Sequence, residues 1–204
     1  MRYSVNRKEE SRERILTVAA RQFRAKGSEN VHVADLMKAA GLTHGGFYKH
    51  FSNKDNLLQE AVQAALTQIA ARFTELAGSL SRGEALKRVI ATYLSEDHMK
   101  HPDLGCALAA MGTELARMPK DMKRAVSGAL DAYAERLDFL MPGETVEQRR
   151  AAFLVLFPSM AGCIMAARVH SSKERQGQIL AAGRAFFERA FCGDVVPNFL
   201  ETMQ

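Results

Sequence analysis

The chain has 204 residues and a mass of 22.6 kDa, enough for one large domain or two small ones with a buried core. Apolar residues make up 47% and charged residues 25%, which excludes a disordered, fibrous or collagen-like chain. The net charge of +5 is unevenly placed, because residues 1–54 hold 11 Lys and Arg against 5 Asp and Glu, whereas the rest carries a net charge of −1. This distribution favours a small module that faces a polyanion, joined to a larger neutral body.

Apolar residues recur every three or four positions, and the alternation and Asn-Gly or Asp-Gly turns typical of β-hairpins are missing from the sequence. This periodicity predicts an all-α protein of about nine helices. The predicted helices are 11–26, 33–40, 43–51, 53–76, 83–98, 105–117, 119–140, 145–170 and 173–191. Thr43 and Ser52 are the predicted N-caps of the third and fourth helices. Residues 78–83 are the predicted linker.

The cysteines and the apolar segments of the sequence indicate the cellular compartment in which the protein is expected. The three cysteines are widely spaced and include no Cys-x-x-Cys pair, which favours a reducing compartment. The N-terminus has no apolar core of the kind that a signal peptide needs. The longest uncharged run, 151–167, contains Pro158 and Gly162, which favour a helix buried against other helices over a membrane span. We therefore expect a cytoplasmic protein without a membrane partner.

Residues 32–51, HVADLMKAAGLTHGGFYKHF, contain two short predicted helices separated by a tight turn. A helix-turn-helix needs a glycine where the chain turns, and Gly41 meets this requirement. It also needs inward apolar residues on both sides, which are Leu36, Ala40, Leu42, Phe47 and Phe51. The second helix then presents polar or very small residues outward, as a helix in the major groove of DNA does. The motif His32 to Phe51 therefore predicts a DNA-binding element.

Residues 9 to about 60 resemble the DNA-binding domain of the TetR (tetracycline-repressor-like) family of transcriptional regulators. The resemblance rests on the first helix, on the Ala-Gly-Leu turn and above all on the core GFYKHF at 46–51. The paired glycines Gly45 and Gly46 depart from the commonest pattern, in which one position is Ala, Ser or Thr. The resemblance implies an N-terminal three-helix helix-turn-helix domain over 9–54. Helix 53–76 would link it to a larger helical ligand-binding and dimerisation domain over 55–204.

The resemblance also implies roles for individual residues. The predicted DNA-binding residues are Thr43, His44, Gly45, Gly46, Tyr48, Lys49, His50 and Lys54. Thr43, Tyr48 and Lys54 are expected on phosphates, and His44 and Gly45 near bases. Further minor-groove or backbone contacts are expected from the basic residues Arg2, Arg7 and Lys8. For any single charged residue in these sets, a solvated surface position is the alternative.

A homodimer is implied as well, in which the last two long helices of each subunit form a four-helix bundle. The matching helices are 145–170 and 173–191. The predicted dimer-interface residues are Phe153, Phe157, Met160, Ala161, Ile164, Ala182 and Phe186. The alternative for these side chains is the core of their own subunit.

The resemblance also implies an effector pocket among the central helices, where methionine adapts to irregular apolar ligands and buried tyrosines supply hydroxyls. The predicted ligand-binding residues are Tyr93, Met99, Cys106, Met111, Met118, Met122, Tyr133 and Phe139. Ordinary core packing is their alternative. The implied function is a ligand-responsive repressor that binds a palindromic operator as a dimer and is released by a small-molecule effector.

Two smaller features have their own interpretations. Cys106 stands at the start of a predicted helix, where the helix N-terminus favours an oxidisable thiol. A regulator that responds to oxidants or electrophiles through Cys106 is therefore one alternative, and an inert buried cysteine is another. His98 and His101 are spaced like metal ligands, but no second pair accompanies them in the sequence. We expect no metal and no cofactor.

An enzyme and a non-sensing architectural DNA-binding protein are the remaining alternatives. The sequence lacks a Ser-His-Asp arrangement with elbow glycines, a Gly-rich phosphate loop and a paired metal motif, which argues against catalysis. An architectural protein would bind phosphates with steep salt dependence and without a preferred palindrome.

Overall fold

The computed structural model describes the backbone of residues 2–193 and the side chains of residues 7–193. That range contains nine α-helices and no strand, so the predicted all-α fold is confirmed. The α-helices are α1 Arg2–Lys26, α2 Val33–Ala39, α3 Lys54–Ala77, α4 Arg82–Tyr93, α5 Glu96–Lys100, α6 Ala107–Leu115, α7 Lys120–Arg136, α8 Val146–Val169 and α9 Lys173–Cys192. Short 3-10 helices span His44–Lys49, Pro102–Leu104 and Asp138–Leu140.

Side-chain caps explain several helix boundaries. The predicted helix 83–98 is two helices, because Ser95 accepts a hydrogen bond from the N–H of His98 at 3.1 Å and starts α5. The side chains of Thr145 and Gln148 form a reciprocal capping box at the start of α8. Asn53 caps α3, since its Oδ1 accepts the N–H of Asn56 at 2.7 Å. The prediction of Ser52 as this cap was therefore wrong.

One compact unit consists of Met1–Thr67 and Pro102–Ala129. In it α1 packs against α2, against the 3-10 helix Pro102–Leu104 and against α6. Arg21 forms an ion pair with Asp103 at 3.1 Å, and the carboxylate of Glu114 accepts the N–H of Ser28 at 3.0 and 3.2 Å. The segment 102–129 thus belongs to the same unit as the helix-turn-helix. The division into functional domains after residue 54 stays a prediction.

The second compact unit consists of Gln68–His101 and Leu130–Gln204, and in its described part α9 packs against α4 and α8. Its core is a cluster of aromatic rings, at most 6% exposed: Phe73, Tyr93, Tyr133, Phe153 and Phe157. The rings of Phe153 and Phe157 are stacked at 4.7 Å. A Cβ at Gly183 would lie 3.2 Å from Leu94 Cδ1 and 3.3 Å from Cys163 Sγ. Glycine at this position therefore allows α9 to approach α8 and the end of α4 closely.

Among the described residues, α8 is the one helix whose length and composition would allow it to cross a membrane, with a mean hydropathy of 1.8 over 18 residues. Of that window, 44% is buried. Buried positions along α8 recur every three or four residues and pack into the second unit. Core packing therefore accounts for much of its apolar character, and the helix is weak evidence for a membrane span.

Candidate nucleic-acid interface

Main-chain hydrogen bonds hold the turn between α2 and the 3-10 helix His44–Lys49. Gly41 adopts a φ of +69°, a left-handed conformation that glycine adopts without steric cost. Its N–H donates to the carbonyl of Lys38 at 3.0 Å, and the N–H of Leu42 donates to the carbonyl of Met37 at 2.8 Å. These two bonds make a Schellman motif, which ends α2 and redirects the chain. Gly41 therefore turns the chain as the sequence predicts.

The predicted helix 43–51, which would enter the DNA groove, is a 3-10 helix over His44–Lys49. Thr43 occupies its N-cap position, but the Thr43 side chain makes no capping hydrogen bond. Gly45 and Gly46 weaken helical order because glycine loses more conformational entropy than alanine on folding. A Cβ at Gly45 would meet no atom within 4 Å, and one at Gly46 would lie 3.6 Å from Met37 and Thr43. Packing therefore requires neither glycine.

Two phenylalanines anchor this segment in the first unit. Phe47 and Phe51 are 1% and 2% exposed, and their ring centroids are 5.8 Å apart. Tyr48, between them, is 68% exposed and meets the Phe47 ring edge-on. One side of the segment is therefore fixed in the core, and the opposite side faces solvent.

The solvent side, here called the recognition face, consists of the eight predicted DNA-binding residues. Exposed members are Thr43, His44, Gly45, Tyr48 and Lys49, and half-buried members are Gly46, His50 and Lys54. Their side chains include a hydroxyl, a phenol, two imidazoles and two ammonium groups, all of which donate to phosphate oxygens or base edges. The structure thus brings the predicted residues together. The DNA contact of each one stays a prediction.

His50 lies at the inner edge of the recognition face. Its Nδ1 atom is buried and has no hydrogen-bond partner among the described residues. Burial lowers the pKa of His50, and the positive charges of Lys8, Arg12 and Lys49 lower it further, more than Glu9 raises it. Both effects favour the neutral form of the imidazole.

The net positive charge of the chain belongs to the first unit. Its two segments, 1–67 and 102–129, contain 15 Lys and Arg against 10 Asp and Glu, whereas the rest of the chain contains 13 of each. Arg7 and Lys8 are exposed on α1, and the side chain of Arg2 lies outside the described residues. A polyanion is therefore attracted to the unit that carries the recognition face.

Sequence reasoning missed the residues that brace this face. Arg12 of α1 forms an ion pair with Glu60 of α3, and its guanidinium lies over the Phe51 ring at 4.8 Å. In a count of charged residues, Arg12 is only one more basic residue. No local pattern reveals the pair, because 48 positions separate its members.

The predicted ligand-binding residues are divided between the two units. The first unit holds Cys106, Met111, Met118 and Met122, and the second holds Tyr93, Met99, Tyr133 and Phe139. Tyr93 and Tyr133 are buried in the aromatic cluster. Phe139 is 49% exposed because it lies in the 3-10 turn after α7, and its part in a pocket stays a prediction. Neither unit alone gathers all eight, and an effector pocket stays a prediction.

A cleft of about 270 Å³ lies in the second unit between α7 and α8. It is lined by Asp131, Ala134, Glu135, Asp138, Val146, Arg149, Arg150 and Phe153. Arg149 pairs with Asp138 at 2.7 Å, and Arg150 pairs with Asp131 at 3.2 Å. None of the predicted ligand-binding residues lines this cleft.

The prediction of the dimer interface is corrected for most of its residues, because they are buried within the single chain. Phe153, Phe157, Met160, Ala161 and Ile164 are at most 6% exposed in the single chain. They pack into the core of their own subunit and leave no surface for a partner. Ala182 is exposed and Phe186 is 55% exposed, so both remain candidates. The helical period gives α8 two apolar faces, and the sequence-based prediction chose the inner one.

His98 and His101 each bind the main chain. His98 Nδ1 lies 2.6 Å from the carbonyl of Tyr93, and burial lowers the pKa of His98 to about 4. His101 Nδ1 lies 3.0 Å from the carbonyl oxygen of Asp97. Within the described part of the chain, no three His, Cys, Asp or Glu side chains are grouped as metal ligands would be.

Cys106 is the N-cap residue of α6 and is 3% exposed. Its neighbour Arg24 is 6% exposed, and the Nε of Arg24 has no hydrogen-bond partner among the described residues. Burial lowers the pKa of Arg24, whereas Cys106 and Asp103 raise it. A buried guanidinium therefore lies close to this thiol.

Known proteins share both sequence and fold with the chain. AcuR, a transcriptional regulator of Cereibacter sphaeroides, is 30% identical over 115 residues, which are 54% of this chain and 52% of AcuR. YdgC, an uncharacterized HTH-type transcriptional regulator of Bacillus subtilis, is 28% identical over 132 residues, 60% of this chain and 65% of YdgC. The chain thus spans between half and two thirds of these relatives.

The crystal structure of a TetR transcriptional regulator from Chloroflexus aurantiacus superposes with a TM-score of 0.69 and 22% identity, over 91% of this chain and 98% of that chain. It shows the same fold. Residues 15–61 match the family model for bacterial regulatory proteins of the tetR family. Residues 15–61 therefore form a domain of the bacterial tetR regulatory-protein family, as the sequence predicts, and the chain shares the fold of a solved TetR regulator.

Proposed function

We propose that this protein is a dimeric repressor that binds a palindromic DNA operator and leaves it when a small-molecule effector binds. The recognition face carries the proposal, because eight suitable residues lie together in the unit that holds the net positive charge. Its lysines, Thr43 and Tyr48 would hold phosphates, and His44 and the small Gly45 would approach base edges. Two copies in a dimer would read two half-sites.

Selection of bound DNA from a random pool tests this function. We expect a palindrome whose half-sites are spaced for two copies of the recognition face. Binding to the selected sequence should exceed binding to scrambled DNA by about a thousandfold or more. Binding without a preferred sequence, together with steep salt dependence, would instead indicate an architectural DNA-binding protein.

An exposed apolar surface supports the dimer. We call it the α8–α9 stripe, and it comprises Leu154, Val155, Pro158, Gly162, Met165, Ala166, Val169, Ala181, Ala182, Ala185 and Phe186. A Cβ at Gly162 would meet no atom within 4 Å, so there is room for a partner helix to approach. Contiguous apolar surface of this kind is typical of subunit interfaces.

The dimer is tested by Phe186→Glu, which would bury a charge in the α8–α9 stripe. We expect a monomer in analytical ultracentrifugation and about a hundredfold weaker operator binding, because burial of an unpaired charge is costly. Phe139→Glu is the matched control, since Phe139 is 49% exposed but lies outside the stripe. A Phe186→Glu variant that stays dimeric would show that the stripe is not the interface.

The effector would act on the body of the protein. An apolar ligand would bind at the aromatic cluster of the second unit, which would have to open because its rings are buried, with Tyr93 and Tyr133 as polar partners. Release from DNA requires that the effector bind two conformations with different affinities. A movement of 102–129 would reach α1 through the contacts of Asp103 and Glu114. Screening of small molecules for release of the selected operator tests this step.

A sensor based on Cys106 is a second candidate. Cys106 is the N-cap residue of α6 and has the buried Arg24 as a neighbour, and cysteines at helix N-termini are among those that oxidants and electrophiles modify. We expect peroxide to release operator from the wild type and from Cys163→Ser, but not from Cys106→Ser. An unchanged response of Cys106→Ser to every inducer would exclude this candidate.

A further inference from the structure

We propose that Arg12 is a positioning residue for the recognition face, and that it does not itself hold a DNA phosphate. The inference rests on the proposed DNA binding, because its functional test is affinity for the operator. The contacts from which it is argued are those of the protein without DNA. Arg12 lies on α1, whereas the recognition face lies on 43–54.

The recognition face needs support from outside its own segment. The 3-10 helix His44–Lys49 has no side-chain N-cap bond and contains two glycines. Hydrogen bonds of the 3-10 type have poorer geometry than those of an α-helix, and such helices are short. Its orientation is therefore determined by Phe47, within the helix, and by Phe51, just after it, which both enter the core.

Arg12 covers the second of these anchors. Its guanidinium carbon lies 4.8 Å from the centroid of the Phe51 ring, within the range of a cation–π contact. The same guanidinium forms an ion pair with Glu60, and the two side chains are 29% and 26% exposed. Partial burial reduces the screening of this pair by water. Arg12 thus holds Phe51 from one side and α3 from the other.

A chain of hydrogen bonds extends this contact to the other end of the face. Glu60 Oε1 accepts a hydrogen bond from Asn56 Nδ2 at 3.3 Å, and the N–H of Asn56 donates to Asn53 Oδ1 at 2.7 Å. Asn53 caps α3 directly before Lys54. Through Glu60, Arg12 is therefore linked to the start of α3, where Lys54 joins the recognition face.

The charge of Arg12 is already matched within the protein. One side of its guanidinium is turned to Phe51, and its terminal nitrogen binds Glu60, whose carboxylate would repel a phosphate. Arg14, on the same helix, is exposed and forms no ion pair with a described residue. Arg14 is therefore a matched control for the loss of one positive charge from α1.

A substitution of Glu60 distinguishes a positioning role of Arg12 from simple electrostatic attraction between the protein and DNA. Glu60→Gln raises the net charge of the protein by one, so a purely electrostatic effect would strengthen DNA binding. Positioning predicts the opposite, because the substitution removes the ionic partner of Arg12. The two single variants should therefore weaken binding alike, although they change the net charge in opposite directions.

The experiment measures affinity for the selected operator over a range of salt concentrations. We expect Arg12→Gln and Glu60→Gln each to bind about tenfold more weakly with the salt slope of the wild type, and Arg14→Gln to bind within about twofold of it. The double variant should bind about as tightly as either single variant, since both substitutions remove the same contact. A slope reduced by about one in Arg12→Gln, or tighter binding by Glu60→Gln, would overturn the proposal.

Hydrogen exchange on the free, full-length protein tests positioning without DNA. We expect the amides of 44–51 to exchange about tenfold faster in Arg12→Gln and Glu60→Gln, and not in Arg14→Gln. Equal exchange in all four proteins would contradict positioning even if DNA binding is confirmed. Accelerated exchange in a protein that binds no DNA would contradict the proposed function alone. If Arg12→Gln does not fold, Arg12→Lys serves instead, because lysine lacks the planar fork that stacks and pairs at once.

Discussion

The two compact units differ in charge and in the way their principal residues are held. The first unit carries the net charge of +5, whereas Lys and Arg balance Asp and Glu in the rest of the chain. In the first unit the recognition face includes a short 3-10 helix that Phe47 and Phe51 anchor in the core. In the second unit, five aromatic rings are buried on all sides.

This difference shows where the chain tolerates weak local order. A surface that must fit a partner gains from a segment that is fixed on its buried side and adjustable on its exposed side. In the proposed dimer, a helical body that sets the distance between two such surfaces would need a dense core, because loosely packed side chains would not hold one geometry. Substitutions in each unit show whether the two units are held as differently as the structure indicates.

The largest effect is expected in the core of the second unit. Phe157→Ala should lower the free energy of unfolding by about 3–5 kcal/mol, because it leaves a cavity among stacked rings. Urea denaturation followed by circular dichroism measures this change. Phe139→Ala, in the same unit but 49% exposed, should cost less than about 1 kcal/mol. Similar losses in the two variants would contradict the packing described for Phe157.

His98 should make the stability of the second unit depend on pH. Its pKa is about 4 when folded and near the ordinary 6.5 when unfolded, so the unfolded chain binds the proton more readily. Stability is therefore complete above about pH 6.5 and falls towards pH 4, by up to about 3 kcal/mol. His98→Asn keeps a donor for the carbonyl of Tyr93 and should lose this part of the pH dependence. The exposed His170→Asn should retain it.

A substitution of Lys49 tests whether the positive charge of the recognition face contributes to DNA binding. Lys49→Ala should weaken operator binding about tenfold and reduce the salt slope by about one, because one phosphate contact is lost. Fluorescence anisotropy at several salt concentrations measures both quantities. Arg88→Ala removes an exposed positive charge from the second unit and should leave the slope unchanged. An equal change in both variants would show that net charge, and not the recognition face, determines binding.

The smallest effect is expected at two of the three glycines of the helix-turn-helix, Gly45 and Gly41. Gly45→Ala should stabilise the protein by about 0.5–1 kcal/mol, because its φ is not positive and a Cβ there meets open space. Gly41→Ala should destabilise it by about 1 kcal/mol or more, since alanine is strained at a φ of +69°. Thermal unfolding distinguishes the two signs. Destabilisation by Gly45→Ala would mean that the segment requires glycine.

Local patterns in the sequence predict most of the helices and the turn at Gly41. The glycine turn and the spacing of Phe47 and Phe51 depend on contacts within a few residues, and such contacts are visible as periodicity. The 3-10 geometry and the cap at Asn53 were missed, because neighbouring polar residues compete for these positions and sequence alone does not rank them.

Long-range features could not be predicted in the same way. Periodicity gives α8 two apolar faces, and only the packed structure shows that Phe153 and Phe157 face inward while Leu154 and Met165 face outward. The contact of Arg12 with Glu60 joins α1 to α3 and leaves no periodic trace. The division of the predicted ligand-binding residues between two units likewise depends on tertiary packing.

The Schellman turn at Gly41 has a consequence for how operator preference can change. Both of its hydrogen bonds run between main-chain atoms, so no side chain after the glycine is needed to form it. Positions 43–46 can therefore be exchanged while the direction in which the chain leaves α2 stays the same. A combinatorial library over these four positions would vary base preference at constant backbone geometry, which makes this turn a natural point from which to evolve regulators for new operators.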